Sequence, residues 1–155
     1  MAKDGAQFSD SDLAALRRLN ELRRSSAFVA ETDELEAQFA ARFNSDYRLA
    51  VYGSLAPGRS NHHVIADLAG NWVEGLVVHG KLLGTGWATA LGYRALRWQW
   101  DGPEVQVALF ISEHLPLHWA RLDEFEGEDY RRILVPVYDE GQFMTVANLY
   151  ETCRG

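Results

Sequence analysis

The sequence predicts an α+β fold: a small, mixed, partly closed β-barrel of about six strands with two flanking helices, preceded by an N-terminal helical pair. Three observations lead there. Apolar residues recur at helical spacing through the first 46 residues. From Tyr47 onward the dominant period falls to two, with glycines and turn signals between the runs. Helical stretches then interrupt the strands instead of alternating regularly with them, which favours a mixed sheet. A chain of 155 residues with 47% hydrophobic content has material for one sizeable core, and its five Trp, six Tyr and seven Phe suit a packed sheet.

Taken in order, Ser9 is the expected N-cap of a first helix, with Asp12 three residues later. Leu13, Leu16, Leu19 and Leu22 mark its apolar face up to Ser25-Ser26. A second helix is expected from about Thr32, carrying Leu35, Phe39 and Phe43. Residues 1–46 are therefore read as a helical extension that packs on the domain or on a partner. A regulatory arm, or one for homo-oligomerisation, is the sharper alternative. The domain proper spans 47–155. It begins with the β-prone Tyr47 to Tyr52 and a turn at Gly53, then a loop at Pro57-Gly58. A short helix capped by Ser60 or Asn61 would carry Val64, Ile65 and Leu68 as far as Gly70. Trp72 to Leu83 reads as one strand, or two broken near Gly75 or Gly80. Leu96, Trp98 and Trp100 alternate with polar residues, as do Val105, Val107, Leu109 and Ile111. A helix is expected from His114 to Glu126, stopped by Gly127. Two strands follow, around Ile133 to Tyr138 and Met144 to Tyr150, turning near Glu140-Gly141. Pro136 argues for an edge or a bulge.

A formal net charge of −7 and the lack of a basic stripe argue against nucleic-acid or anionic-membrane binding. No run approaches the roughly 18 apolar residues of a membrane span. The single cysteine, Cys153, cannot form an internal disulfide. Met1 to Gly5 is not followed by a signal-like apolar run, so a cytoplasmic location is expected.

The most informative residues lie at the end of the last expected helix. At 100° per residue, Leu115, Trp119, Leu122 and Glu126 fall within about 40° of one stripe. Asp123 lies about 100° from Leu122, and Glu124 on the solvated side. Of three neighbouring carboxylates, only Glu126 is predicted to turn toward the buried side, where its pKa would rise toward that of a proton-transfer group. The bland alternative is a solvated Glu126, or one paired with Arg131 or Arg132. The turn Tyr52-Gly53-Ser54-Leu55 lets the backbone approach a ligand closely and frees successive N–H groups. A Gly-x-Ser-x-Gly elbow is missing, which disfavours Ser54 as a nucleophile. His62-His63 cannot converge on a helix, and His114 with His118 lacks a zincin context, so no metal is expected. Neither a Walker loop nor a dinucleotide fingerprint is present.

Val51-Tyr52-Gly53-Ser54-Leu55, then Gly92-Tyr93-Arg94-Ala95-Leu96, then Leu122 to Gly127 followed by Tyr130-Arg131 resemble, in this order, the gamma-glutamylcyclotransferase-like family over roughly residues 47–151. The resemblance implies a barrel whose cavity takes a γ-glutamyl small molecule. Tyr52, Gly53, Ser54 and Leu55 would hold it through backbone amides, and Glu126 would be the general acid/base. Tyr130 and Arg131 are candidates for lining the mouth, with a structural role at the start of a strand as the alternative. The implied reaction yields 5-oxoproline and a free amine without a cofactor. Arg94 stands where the family commonly has proline. A non-catalytic binding or protein-interaction module on the same barrel is the alternative, and an amide-forming or transferring enzyme is a third.

Overall fold

The computed structural model describes residues 7–52, 62–83 and 95–153. Helix α1 (Asp10–Arg24) starts as its sequence dictates. Ser9 Oγ accepts from the Asp12 amide at 3.1 Å, and the Asp12 carboxylate accepts from the Ser9 amide at 2.9 Å. Helix α2 (Ala30–Phe43) stops at Asn44, which takes the left-handed conformation that Asn tolerates (φ 53°).

Six strands follow: β1 (Arg48–Val51), β2 (Asn71–Leu83), β3 (Ala95–Trp98), β4 (Glu104–Ile111), β5 (Tyr130–Asp139) and β6 (Gln142–Thr152). Their order in the sheet is β3-β2-β4-β1-β6-β5. One further pairing, Val77 with Tyr138, joins β2 to β5 and closes five strands into a barrel, with β3 as an additional strand on β2. The expected mixed barrel is what forms: β1 runs parallel to β6, and the other neighbours are antiparallel. Strand β2 is continuous, with its register shifted between Val73 and Leu76 around Gly75 at φ 82°. Pro136 lies on β5, which is an edge along most of its length, and the ladder slips next to it between Val137 and Tyr138. Glu140 and Gly141 both have positive φ, giving the two-residue hairpin turn that suits strand twist.

Two expected helices are shorter than their apolar spacing suggests. The stretch from His114 splits into a 3-10 turn, Leu115–Leu117, and an eight-residue helix α3 (Trp119–Glu126). Pro116 lacks the N–H that a continuous helix would use, and the His114 amide donates instead to Ser112 Oγ at 3.1 Å. The segment carrying Val64 forms only a 3-10 turn, His62–Val64, before looser turns to Leu68. Ser60 and Asn61 lie outside the described residues.

Register separates the two faces of the barrel wall. Ala50, Leu109, Val107, Val105, Ile133 and Leu149 belong to one cluster, which also takes in Leu16 and Leu19 of α1 and Phe39 and Phe43 of α2. Leu49, Val51, Phe110 and Tyr150 face the other way and are covered by Leu115, Trp119 and Leu122. Helix α1 lies against the free edge of β5. There the side chain of buried Asn20 donates to the Leu134 carbonyl at 2.8 Å and accepts from the Leu134 amide at 2.9 Å. An edge that would otherwise leave buried backbone groups unpaired is satisfied by one side chain. Among the described residues no helix is long and apolar enough to cross a membrane.

Candidate active site at one end of the barrel

Because β1 and β6 are parallel, the C-terminal end of β1 lies beside the C-terminal end of β6 and the start of β5. Tyr52 leaves β1 at this end. Its hydroxyl donates to the Tyr150 carbonyl at 2.6 Å and accepts from the Leu96 amide at 3.2 Å, tying β1, β6 and β3 together. Burial raises its phenol pKa well above the usual range. With both hydrogen-bonding positions of the hydroxyl in use, Tyr52 is a fastener rather than a proton carrier.

Helix α3 delivers Glu126 to the same end. Leu115, Trp119 and Leu122 are buried along the expected stripe, and Trp119 Nε1 donates to the Asp46 carbonyl at 3.0 Å, which fixes the helix rotation. Glu126, one turn beyond Leu122, is partly buried. Burial first, and then the negative charge of Asp123, push its pKa up to about 7. Its charge reaches the Tyr52 and Tyr150 phenols, raising both. Neither candidate arginine partner takes it. Arg132 forks onto Asp123, with Nε and Nη2 at 2.9 and 3.2 Å from the two oxygens. Arg131 lies 3.3 Å from Glu151. Glu126 has no cation partner among the described residues.

Tyr130 opens β5 after the Gly127 turn, with its amide donating to the Gly127 carbonyl at 3.3 Å. It packs, partly buried, on the cluster of Leu122 and Tyr150, and its ionised form would raise the Tyr52 pKa further. The structure thus brings Tyr52, Glu126 and Tyr130 to one end of the barrel. Gly53, Ser54, Leu55 and the Gly92 to Arg94 segment lie outside the described residues.

Two polar groups here were missed in the sequence. Asp123 is half exposed, yet it accepts from the Tyr150 hydroxyl at 2.6 Å as well as from Arg132. Glu151 is buried and fully engaged: Oε1 accepts from the Trp98 amide at 3.1 Å, and Oε2 accepts from Arg24 Nε at 2.8 Å and faces Arg131. It is a structural carboxylate, neutralised by two arginines and holding β3 in place. Only its pairing with Arg131 across the β5–β6 ladder carried a sequence signal.

Residues 49–153 match the family model for gamma-glutamyl cyclotransferase, AIG2-like. Among curated proteins no sequence matches significantly. Solved structures share the fold. YkqA from Bacillus subtilis superposes with a TM-score of 0.52 at 21% identity, over 69% of this chain and 36% of its own. This chain therefore spans little more than a third of YkqA. An AIG2-like protein from Mus musculus also gives 0.52 at 21% identity, over 70% of this chain and 78% of its own. An Arabidopsis thaliana protein gives 0.50 at 19% identity, over 70% and 69%. With its closed five-strand barrel and the match over residues 49–153, this chain belongs to the AIG2-like gamma-glutamyl cyclotransferase family.

Proposed function

We propose that the protein cyclises a γ-glutamyl amine, amino acid or peptide to 5-oxoproline and releases the free amine, with Glu126 as general acid/base. The observation that carries this reading is the state of Glu126: partly buried, with no cation partner among the described residues, and titrating near neutrality. A group whose pKa matches the working pH transfers protons in both directions with the least penalty.

The chemistry asks for little more. The substrate α-amine is protonated at neutral pH, so Glu126 first takes a proton from it. The freed amine attacks the substrate's own γ-carbonyl, forming the ring C–N bond and a tetrahedral oxyanion. Glu126 then returns the proton to the departing nitrogen as the original amide C–N bond breaks, and the surplus proton of the ring nitrogen passes to the released amine, which leaves as an ammonium. No water is consumed, and one carboxyl serves both steps. The reaction is intramolecular, so holding the substrate folded supplies much of the acceleration. In this reading Gly53, Ser54 and Leu55 contribute backbone N–H donors to a substrate carboxylate or the oxyanion, and Tyr130 lines the mouth.

The test is a mass-spectrometric screen for 5-oxoproline across γ-glutamyl compounds, run with the wild type and Glu126→Gln. The variant is expected to fold normally and lose turnover by about 10²-fold or more. Full activity in Glu126→Gln would remove Glu126 from the mechanism. Ligand-induced thermal stabilisation without any 5-oxoproline would point to a binding module instead.

A further inference from the structure

Arg48 opens β1 at the opposite end of the barrel, about 13 Å of strand away from Tyr52. Two residues before Ala50, it shares that residue's face, and its Nη1 donates to Thr145 Oγ1. Among the described residues its buried Nε has no hydrogen-bond partner. No carboxylate pairs with Arg48 among the described residues. Burial consequently lowers its guanidinium pKa, whereas carboxylate partners raise those of Arg18 and Arg42. A desolvated cation without a counter-charge is unfavourable, and a buried donor left open calls for a partner that the described residues do not supply.

Beside Arg48 a cleft of about 370 Å³ opens between the Asn44–Arg48 segment, Gly70-Asn71 and Ser112 to His114. That size falls within the range of small-molecule sites. Its walls are fixed. Buried Ser112 donates through Oγ to the Ala69 carbonyl at 2.6 Å and through its amide to the Tyr47 carbonyl at 2.8 Å, locking three segments together.

We propose that this cleft is a second ligand site, which takes a small molecule by its carboxylate with Arg48 as the anchoring cation. Arg48 supplies one permanent positive charge and Glu113 stands on the rim. This balance suits a single negative charge and opposes a phosphate dianion. The site does not depend on the cyclotransferase reading, since it shares no residue with the Glu126 end.

The test is an NMR titration of the full chain with acetate, lactate and inorganic phosphate, following backbone amides. Acetate and lactate are expected to shift Asn71, Ser112 and His114 saturably in the millimolar range, with phosphate far weaker. Arg48→Met is expected to abolish those shifts. Because Arg48→Met alters a half-buried position, exposed Asn71→Asp serves as the second variant. It keeps the fold and weakens acetate about fivefold by charge repulsion. The proposal fails if the shifts are absent or map to Leu96 and Tyr130 instead. It fails too if they persist in Arg48→Met, if Asn71→Asp binds as wild type, or if phosphate binds as well as acetate.

Discussion

Glu126 and Glu151 occupy the same end of the barrel with the same side chain, yet their surroundings assign them opposite tasks. Glu151 is matched by Arg24, Arg131 and the Trp98 amide, whereas Glu126 faces burial and the charge of Asp123. If the basic form of Glu126 starts the reaction, kcat/KM should fall as pH drops through about 7. Asp123→Asn removes the neighbouring negative charge and should move that limb to lower pH, as a pH–rate profile would read directly. A limb unmoved by Asp123→Asn would mean that another group sets it. Stability carries the same sign. The carboxyl pKa is raised from 4.5 in the unfolded chain to about 7 in the fold, so the folded state holds the proton more tightly. Its relative stabilisation is complete below about 4.5 and is lost as pH rises through about 7. Glu126→Gln should therefore raise thermal stability at pH 8 by about 2 kcal/mol, allowing for solvent screening, and little at pH 4. Thermal melts at the two pH values check this. Glu126 was legible because one helical stripe joins it to Leu115, Trp119 and Leu122. Glu151 was not, because its Arg24 partner lies 127 residues away and no local pattern encodes that contact.

The link between α3 and β5 depends on Gly127, whose φ of 81° and ψ of −172° define a region essentially closed to residues with a Cβ. A Cβ there would meet nothing within 4 Å, so any penalty is purely conformational. Gly127→Ala should cost about 1–3 kcal/mol and, by re-aiming the adjacent Glu126, should lower kcat more than it raises KM. Denaturant melts and steady-state kinetics separate the two effects; wild-type values in both would mean that the turn tolerates a side chain. The stop at Gly127 was plain in the sequence, as were the Ser9 capping box, the alternation of β4 and the Glu140-Gly141 hairpin, all of them local signals. The helix from His114 was over-read because Leu115, Trp119 and Leu122 keep their spacing across a 3-10 turn, and the bond from the His114 amide to Ser112 Oγ decides where regular helix begins. In β6 nearly every residue is buried, since helices cover its outer face. Continuous burial of that kind shows no alternation.

At the scale of the whole molecule, the barrel is closed by one strand pair and by a helix. Among the described residues, Val77 with Tyr138 is the only β2–β5 pairing along the seam. Further down β5, the Leu134 backbone finds its partners in Asn20, and Leu16 and Leu19 enter the same cluster as Val135 and Leu149. Arg24, at the end of α1, reaches Glu151, whose other oxygen holds β3 beside Tyr52. Helix α1 is thus coupled to both the core and the candidate active site, although the family match begins only at residue 49. Asn20→Ala leaves a buried N–H and C=O unpaired and should destabilise by about 1–3 kcal/mol. Removing residues 1–46 goes much further. It uncovers the surfaces packed by Leu16, Leu19, Leu22, Phe39 and Phe43, all buried, at about 2 kcal/mol or more for each side chain. That loss rivals the 5–15 kcal/mol net stability of an ordinary domain. The 47–155 fragment should lose the cooperative unfolding transition of the full chain, as circular dichroism during a thermal ramp would show. A fragment that melts cooperatively near the full-length temperature would make the helices an appendage, and the coupling through Arg24 would then be incidental.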